Sequence, residues 1–195
     1  DRFAEGEPLY KRSMKIYERT LGVDHPRVAL SLMNLANLYR KMGLLDKAIP
    51  FHKRSLGIKE KAYGKDHPEV ANSLNNFGIL LFDQARYDEA EKLHKRSLAI
   101  REKAYGKDHQ DVAMSLGNLG LIYNEQGLYS KAEIMLKRSL EIGEKISGSD
   151  HPNIAMTLLN LGYTYNNQGR YDEAEKHYKR SLEIYEKLFG EYHSS

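Results

Sequence analysis

Residues 108–127 read DHQDVAMSLGNLGLIYNEQG. Ala113, Leu116, Leu119, Gly120 and Tyr123 recur three or four positions apart, the spacing of one helical face. Moving 42 residues in either direction returns the same pattern, at 24–43, 66–85 and 150–169. Pro26, Pro68 and Pro152 follow Asp-His in three of the four copies and suit a first helical position, which needs no N–H. Gly43, Gly127 and Gly169 end the stretch where a left-handed cap is expected, and Ala85 replaces glycine in the second copy. The spacing therefore predicts four equivalent helices.

A second helix is expected after each of these stops. Lys-Arg-Ser occurs at 11–13, 53–55, 95–97, 137–139 and 179–181, again 42 residues apart. Asp88, Ser130 and Asp172 each precede a glutamate three residues on, which predicts capping boxes. Those glutamates, Glu91, Glu133 and Glu175, stand four residues before Lys95, Lys137 and Lys179, the order favoured for helix-surface ion pairs. No stretch alternates as a strand would. Neither helix can bury its apolar face alone, so the units are expected to stack into a solenoid with one continuous core.

The whole chain 1–195 reads as one such solenoid. Residues 1–21 are the second helix of a truncated unit, 24–64, 66–106, 108–148 and 150–190 are full units, and 191–195 start a further one. Both ends are expected to be cut from a longer array, and the truncated ends offer surfaces for self-association. The 195 residues contain no cysteine, which leaves no disulfide, thiolate nucleophile or cysteine-based zinc site. A net charge of +3, evenly spread, argues against nucleic acid as a partner. No apolar run reaches the ~20 residues of a membrane span and no signal peptide opens the chain, so no membrane partner and a cytoplasmic location are expected.

Leu116-x-x-Leu119-Gly120-x-x-Tyr123 followed by Ala132 resembles the signature of the tetratricopeptide repeat. Leu158, Leu161, Gly162, Tyr165 and Ala174 repeat it, while the other units carry Ala36 for glycine and Phe77 and Leu81 for leucine and tyrosine. The usual unit has about 34 residues. The 42-residue unit here, with Asp-His-Pro-x-Val-Ala and Lys-Arg-Ser-Leu, resembles the repeats of kinesin light chains and nephrocystin-like proteins. The resemblance implies an all-α, right-handed superhelix whose first helices line a concave groove for peptides.

The face opposite the core stripe carries few of the charges of an ordinary solvated helix. It holds Leu30, Asn34, Asn37 and Lys41, then Asn72, Asn76, Ile79 and Asp83, then Met114, Asn118, Leu121 and Glu125, then Met156, Asn160, Tyr163 and Asn167. Asn34, Asn76, Asn118 and Asn160 form a ladder of one asparagine per unit, with Asn75 beside it. An amide both donates and accepts, as pairing with an extended backbone requires. Interleaved apolar residues mark a contact surface. The alternative is that each asparagine bonds to a neighbouring helix. A clamp for a terminal carboxylate is not expected, because Met33, Met114 and Asn118 stand where such clamps use basic residues.

Other motifs point to structure. His25, His67, His109 and His151 lie one unit apart, too far to converge on a metal ion, and sit at helix starts. His52, His94 and His177 are expected at packing positions, and Lys-Arg of each Lys-Arg-Ser on a solvated face. Repetition argues against catalysis, since an active site is singular, and no cofactor fingerprint is present. The expected function is non-catalytic binding of an extended protein segment as an adaptor or scaffold, of which kinesin-light-chain-like cargo binding is the most concrete form. The rivals are a sensor array on a nucleotide-driven signalling protein and a purely architectural solenoid.

Overall fold

The computed structural model describes residues 2–190, with side chains from 6 to 188; the expected start of a further unit at 191–195 lies outside the described residues. Among the described residues there are nine α-helices and no strand. They are α1 (Arg2–Leu21), α2 (Pro26–Lys41), α3 (Leu45–Tyr63), α4 (Pro68–Asp83), α5 (Tyr87–Tyr105), α6 (Gln110–Glu125), α7 (Tyr129–Ser147), α8 (Pro152–Asn167) and α9 (Tyr171–Phe189). The chain forms two compact units, residues 1–104 and 105–195. In the first, α2 packs on α1 and α3, and α3 on α4; in the second, α7 packs on α6 and α8, and α8 on α9.

The first helices begin as their sequence dictates. His25, His67, His109 and His151 are the N-caps, and each Nδ1 accepts from the backbone N–H two residues on, at 3.1, 3.1, 3.1 and 3.2 Å. The helices end in Schellman turns. Gly43 N–H donates to Arg40 O (3.0 Å) and Leu44 N–H to Tyr39 O (2.9 Å), with Gly43 at φ 73°. Ala85 adopts the same left-handed conformation at φ 56°, the one described non-glycine residue to do so.

These tight turns displace the expected capping boxes. Because Leu44, Leu128 and Arg170 are held by the turn, the second helices start immediately after them. Those three cap positions make no side-chain cap hydrogen bond. Ser130 and Asp172 thus lie inside the first turn. The matching glutamates serve as ion-pair partners instead: Lys95–Glu91 at 2.7 Å, Lys137–Glu133 at 2.6 Å and Lys179–Glu175 at 2.6 Å.

The predicted core stripe is buried throughout, Leu32, Leu35, Ala36 and Tyr39 in α2 and Leu116, Leu119 and Tyr123 in α6 among it. Glycine lets paired helices touch. A Cβ added at Gly78 would lie 2.5 Å from His94 Nε2, at Gly120 2.5 Å from Leu136 Cγ, and at Gly162 2.5 Å from Tyr178 Cε1. The serine of Lys-Arg-Ser locks the same pairs. Ser55, Ser97, Ser139 and Ser181 are buried and donate to the carbonyls of Ala29, Ala71, Ala113 and Ala155, at 2.8, 2.9, 2.8 and 2.8 Å.

Candidate functional site

With the core stripe turned inward, the opposite face of each first helix stays open. In the first unit, Asn34, Asn37 and Asn76 line one cavity of about 510 Å³, together with Arg40, Lys41 and Tyr10. Tyr10 comes from α1, and no pattern on the first helices pointed to it. Asn76 Nδ2 donates to Met33 Sδ at 3.1 Å, so this amide does bond to a neighbouring helix. Asn34 and Asn37 have no side-chain hydrogen-bond partner among the described residues. Arg40 is tied to Asp83 by an ion pair, which leaves Lys41 as the cation without one among the described residues at that cavity.

Two members of the predicted set in this unit serve the fold. Asn75 is only 6% exposed and does not reach the open face. One residue along a helix is a rotation of about 100°, which carries Asn75 inward from Asn76. Asn72 Oδ1 accepts from Arg101 Nη2 at 3.0 Å and so holds a buried cation. Ile79 is half-buried on α4.

In the second unit, Met114, Asn118, Leu121, Met156 and Asn160 line a single cavity of about 350 Å³. Asn160 has no side-chain hydrogen-bond partner among the described residues. Tyr163 is exposed next to this group. Asn167 is engaged: its Nδ2 donates to Tyr163 O at 2.8 Å, and its Oδ1 accepts from Tyr129 Oη at 3.3 Å.

Buried cations were not legible as such in the sequence. Lys59 is 4% exposed, with Nζ 2.8 Å from Glu69 Oε2 and 3.3 Å from Glu69 O. This bond holds the Glu69 carboxyl below its ordinary value. Arg101, 2% exposed, occupies the same position one repeat later.

The motif residues are consumed by structure. The aspartates of Asp-His pair with lysines 37 positions on, Asp66 with Lys103 at 2.8 Å, Asp108 with Lys145 at 2.5 Å and Asp150 with Lys187 at 3.0 Å. The lysines of Lys-Arg-Ser are solvated, as expected, but the arginines connect second helices of successive repeats. Arg54 pairs with Glu18 at 2.7 Å and Arg96 with Glu60 at 2.6 Å, and Arg180 pairs with Glu144. Among the described residues no group of histidines and carboxylates could hold a metal ion. No helix there is long and apolar enough to cross a membrane.

His52 and His94 are buried packing residues, His52 stacking on Phe77 with centroids 5.6 Å apart. Burial, helped by the charges of Arg40 and Arg101 respectively, pushes both imidazoles down to about 4. His177 belongs one position away from that register, where it aligns with Phe51 and Leu93; Tyr178 is the true counterpart of His94. His177 still packs on an aromatic ring, Tyr165, at 5.0 Å.

The tetratricopeptide repeat model matches residues 1–61, 28–103, 69–145 and 126–187. Among solved structures, BtubC (BKLC) from P. vanneervenii is similar with a TM-score of 0.86 and 26% identity, over 100% of this chain and 77% of that one. The nearly identical repeats of a candidate kinesin light chain from Podosopora anserina give a TM-score of 0.81 at 23% identity, over 96% and 88% of the two chains. No curated protein matches the sequence.

Proposed function

Since the chain belongs to the tetratricopeptide repeat family, we propose that it is a non-catalytic module that binds an extended protein segment along the open faces of its first helices. Repeat arrays of this kind are protein-interaction scaffolds. The finer reading is an adaptor in the cytoplasm that holds cargo in the manner of kinesin light chains. One observation carries it. The side-chain amides of Asn34 and Asn37 in the first unit and of Asn160 in the second find no partner among the described residues, and Asn160 shares its cavity with apolar Met114 and Met156, which are exposed. Unpartnered amides offer the donors and acceptors that an extended backbone needs, while apolar neighbours take its side chains.

Peptides selected by display on the purified chain supply the test, with affinity read by fluorescence anisotropy. Asn34→Ala with Asn160→Ala should leave melting nearly unchanged and weaken binding at least tenfold, since two lost hydrogen bonds at about 1 kcal/mol each exceed the ~1.4 kcal/mol of one decade. Lys95→Ala with Lys179→Ala, on the second helices, should change binding little at moderate salt. The reverse outcome would place the ligand on the second-helix face and refute the reading.

A further inference from the structure

The cavity of the second unit owes its existence to side chains that are missing. Along α7, position 143 is glycine, where the two preceding second helices carry Lys59 and Arg101. Along α6, position 117 is glycine, where the other first helices carry Met33, Asn75 and Leu159. Both glycines line the cavity of about 350 Å³. A Cβ at Gly117 would meet only Ser139 Oγ, at 3.5 Å, so that side is open. At Gly143 the terminal methyl of Ile154 has moved in, 2.8 Å from where a Cβ would stand, and forms an apolar floor.

The residues that serve the buried cations elsewhere have changed as well. Lys59 rests on Glu69 beside Val70; two repeats on, the corresponding trio is Gly143, Asn153 and Ile154. Arg101 donates to Asn72, and the residue in that register here is Met114. The cation (Lys59 or Arg101), the carboxylate in register with it (Glu69 or Asp111) and the amide that accepts from Arg101 are thus each replaced by a neutral or apolar group. Asp111, the one carboxylate on the cavity wall, has an interaction of its own within the chain. Met114, Met156, Leu121 and Ile154 supply apolar walls, and Asn160 is among the polar lining residues.

We propose that this cavity is a specificity pocket for one uncharged apolar side chain, of leucine to phenylalanine size, carried by the extended segment. The inference rests on the groove reading above and adds which residue the groove selects. A partly apolar notch that holds no cation, and whose one carboxylate is already engaged within the chain, favours an apolar side chain over Lys and Glu, whereas the array's own Lys59 notch shows what a cation-accepting version requires.

The chain contains six methionines, and ¹³C-methyl labelling gives one signal for each, with Met114 and Met156 reporting on the pocket. The probes are capped heptapeptides, acetyl-Ser-Gly-Ser-Xaa-Ser-Gly-Ser-amide, with Xaa as Leu, Phe, Ser, Lys or Glu. Leu and Phe peptides should shift Met114 and Met156 saturably, with dissociation constants at least tenfold below those of the Lys and Glu peptides. The variant Gly143→Lys, Asn153→Glu, Ile154→Val transplants the Lys59, Glu69 and Val70 trio and should abolish that preference. Its helicity and melting, compared with the parent, establish that it folds, and Gly143→Ala alone provides a milder filling that should weaken the Leu peptide several-fold. Equal binding by all five peptides at Met114 and Met156, or tightest binding by Lys, overturns the pocket and leaves the groove standing. Absence of any shift at Met33, Met114 and Met156 with every peptide overturns the groove reading along with it.

Discussion

Acid should destabilise the first unit in a pH window set by its buried imidazoles. His94 lies against Gly78 with no room for a Cβ between them, and its Nδ1 has no hydrogen-bond partner. It titrates near 4 in the folded chain against an ordinary 6.5. A base whose folded value is depressed is held neutral by the fold, so the unfolded chain takes up the proton first as pH falls. Stability is therefore intact above pH 6.5, declines between 6.5 and 4, and levels off below 4. The loss should reach about 2 kcal/mol at pH 5 and about 3 kcal/mol below pH 4 for this one group, with a similar share from His52. Carboxylates such as Glu69 and Asp66, held below their ordinary 4.5 and 3.8 by hydrogen bonds from Lys59 and Lys103, lose their contribution only in more acid solution. The substitution that isolates His94 is already present in the chain, because Leu136 fills the same position against Gly120. Urea unfolding of the parent and of His94→Leu at pH 7.5 and 5.0 is the assay. The variant should show a pH-dependent loss smaller by about 2 kcal/mol, with the two proteins closest in stability at pH 7.5. Parallel losses in both proteins would refute the argument that a buried neutral imidazole is responsible.

Two further substitutions probe the joints of the repeat. Ala85→Gly relieves a left-handed alanine at φ 56° and should stabilise the chain by about 1 kcal/mol, read as a higher urea midpoint; a lower midpoint would mean that the turn is not strained. Ser97→Ala removes the 2.9 Å bond to Ala71 O and should cost about 1 kcal/mol by the same assay, whereas an unchanged midpoint would show that the bond contributes nothing net.

How legible each feature was depended on whether its signal lay within one helix or between two. The helix starts, the stops and the core stripe were readable because each is written in consecutive residues and repeated four times. The capping boxes failed for a local reason as well: the Schellman turn fixes Leu44, Leu128 and Arg170 and starts the helix before the serine or aspartate that would have capped it. The Ser97–Ala71 and Arg96–Glu60 bonds connect residues 26 and 36 apart on different helices, and a charge or hydroxyl alone does not name such a partner. Asn75 and Asn76 differ by one step, yet one is core and the other open, so an asparagine pair cannot be assigned without the helix phase. The pocket is the hardest case. It is defined by Gly117 and Gly143, residues that carry no chemistry, and becomes visible only when each repeat is compared with its own copies. In a repeat protein the shared residues build the scaffold. Recognition is therefore to be sought where one copy departs from the others, and here Lys59 or Arg101 gives way to glycine, Glu69 or Asp111 to asparagine, and Asn72 to methionine.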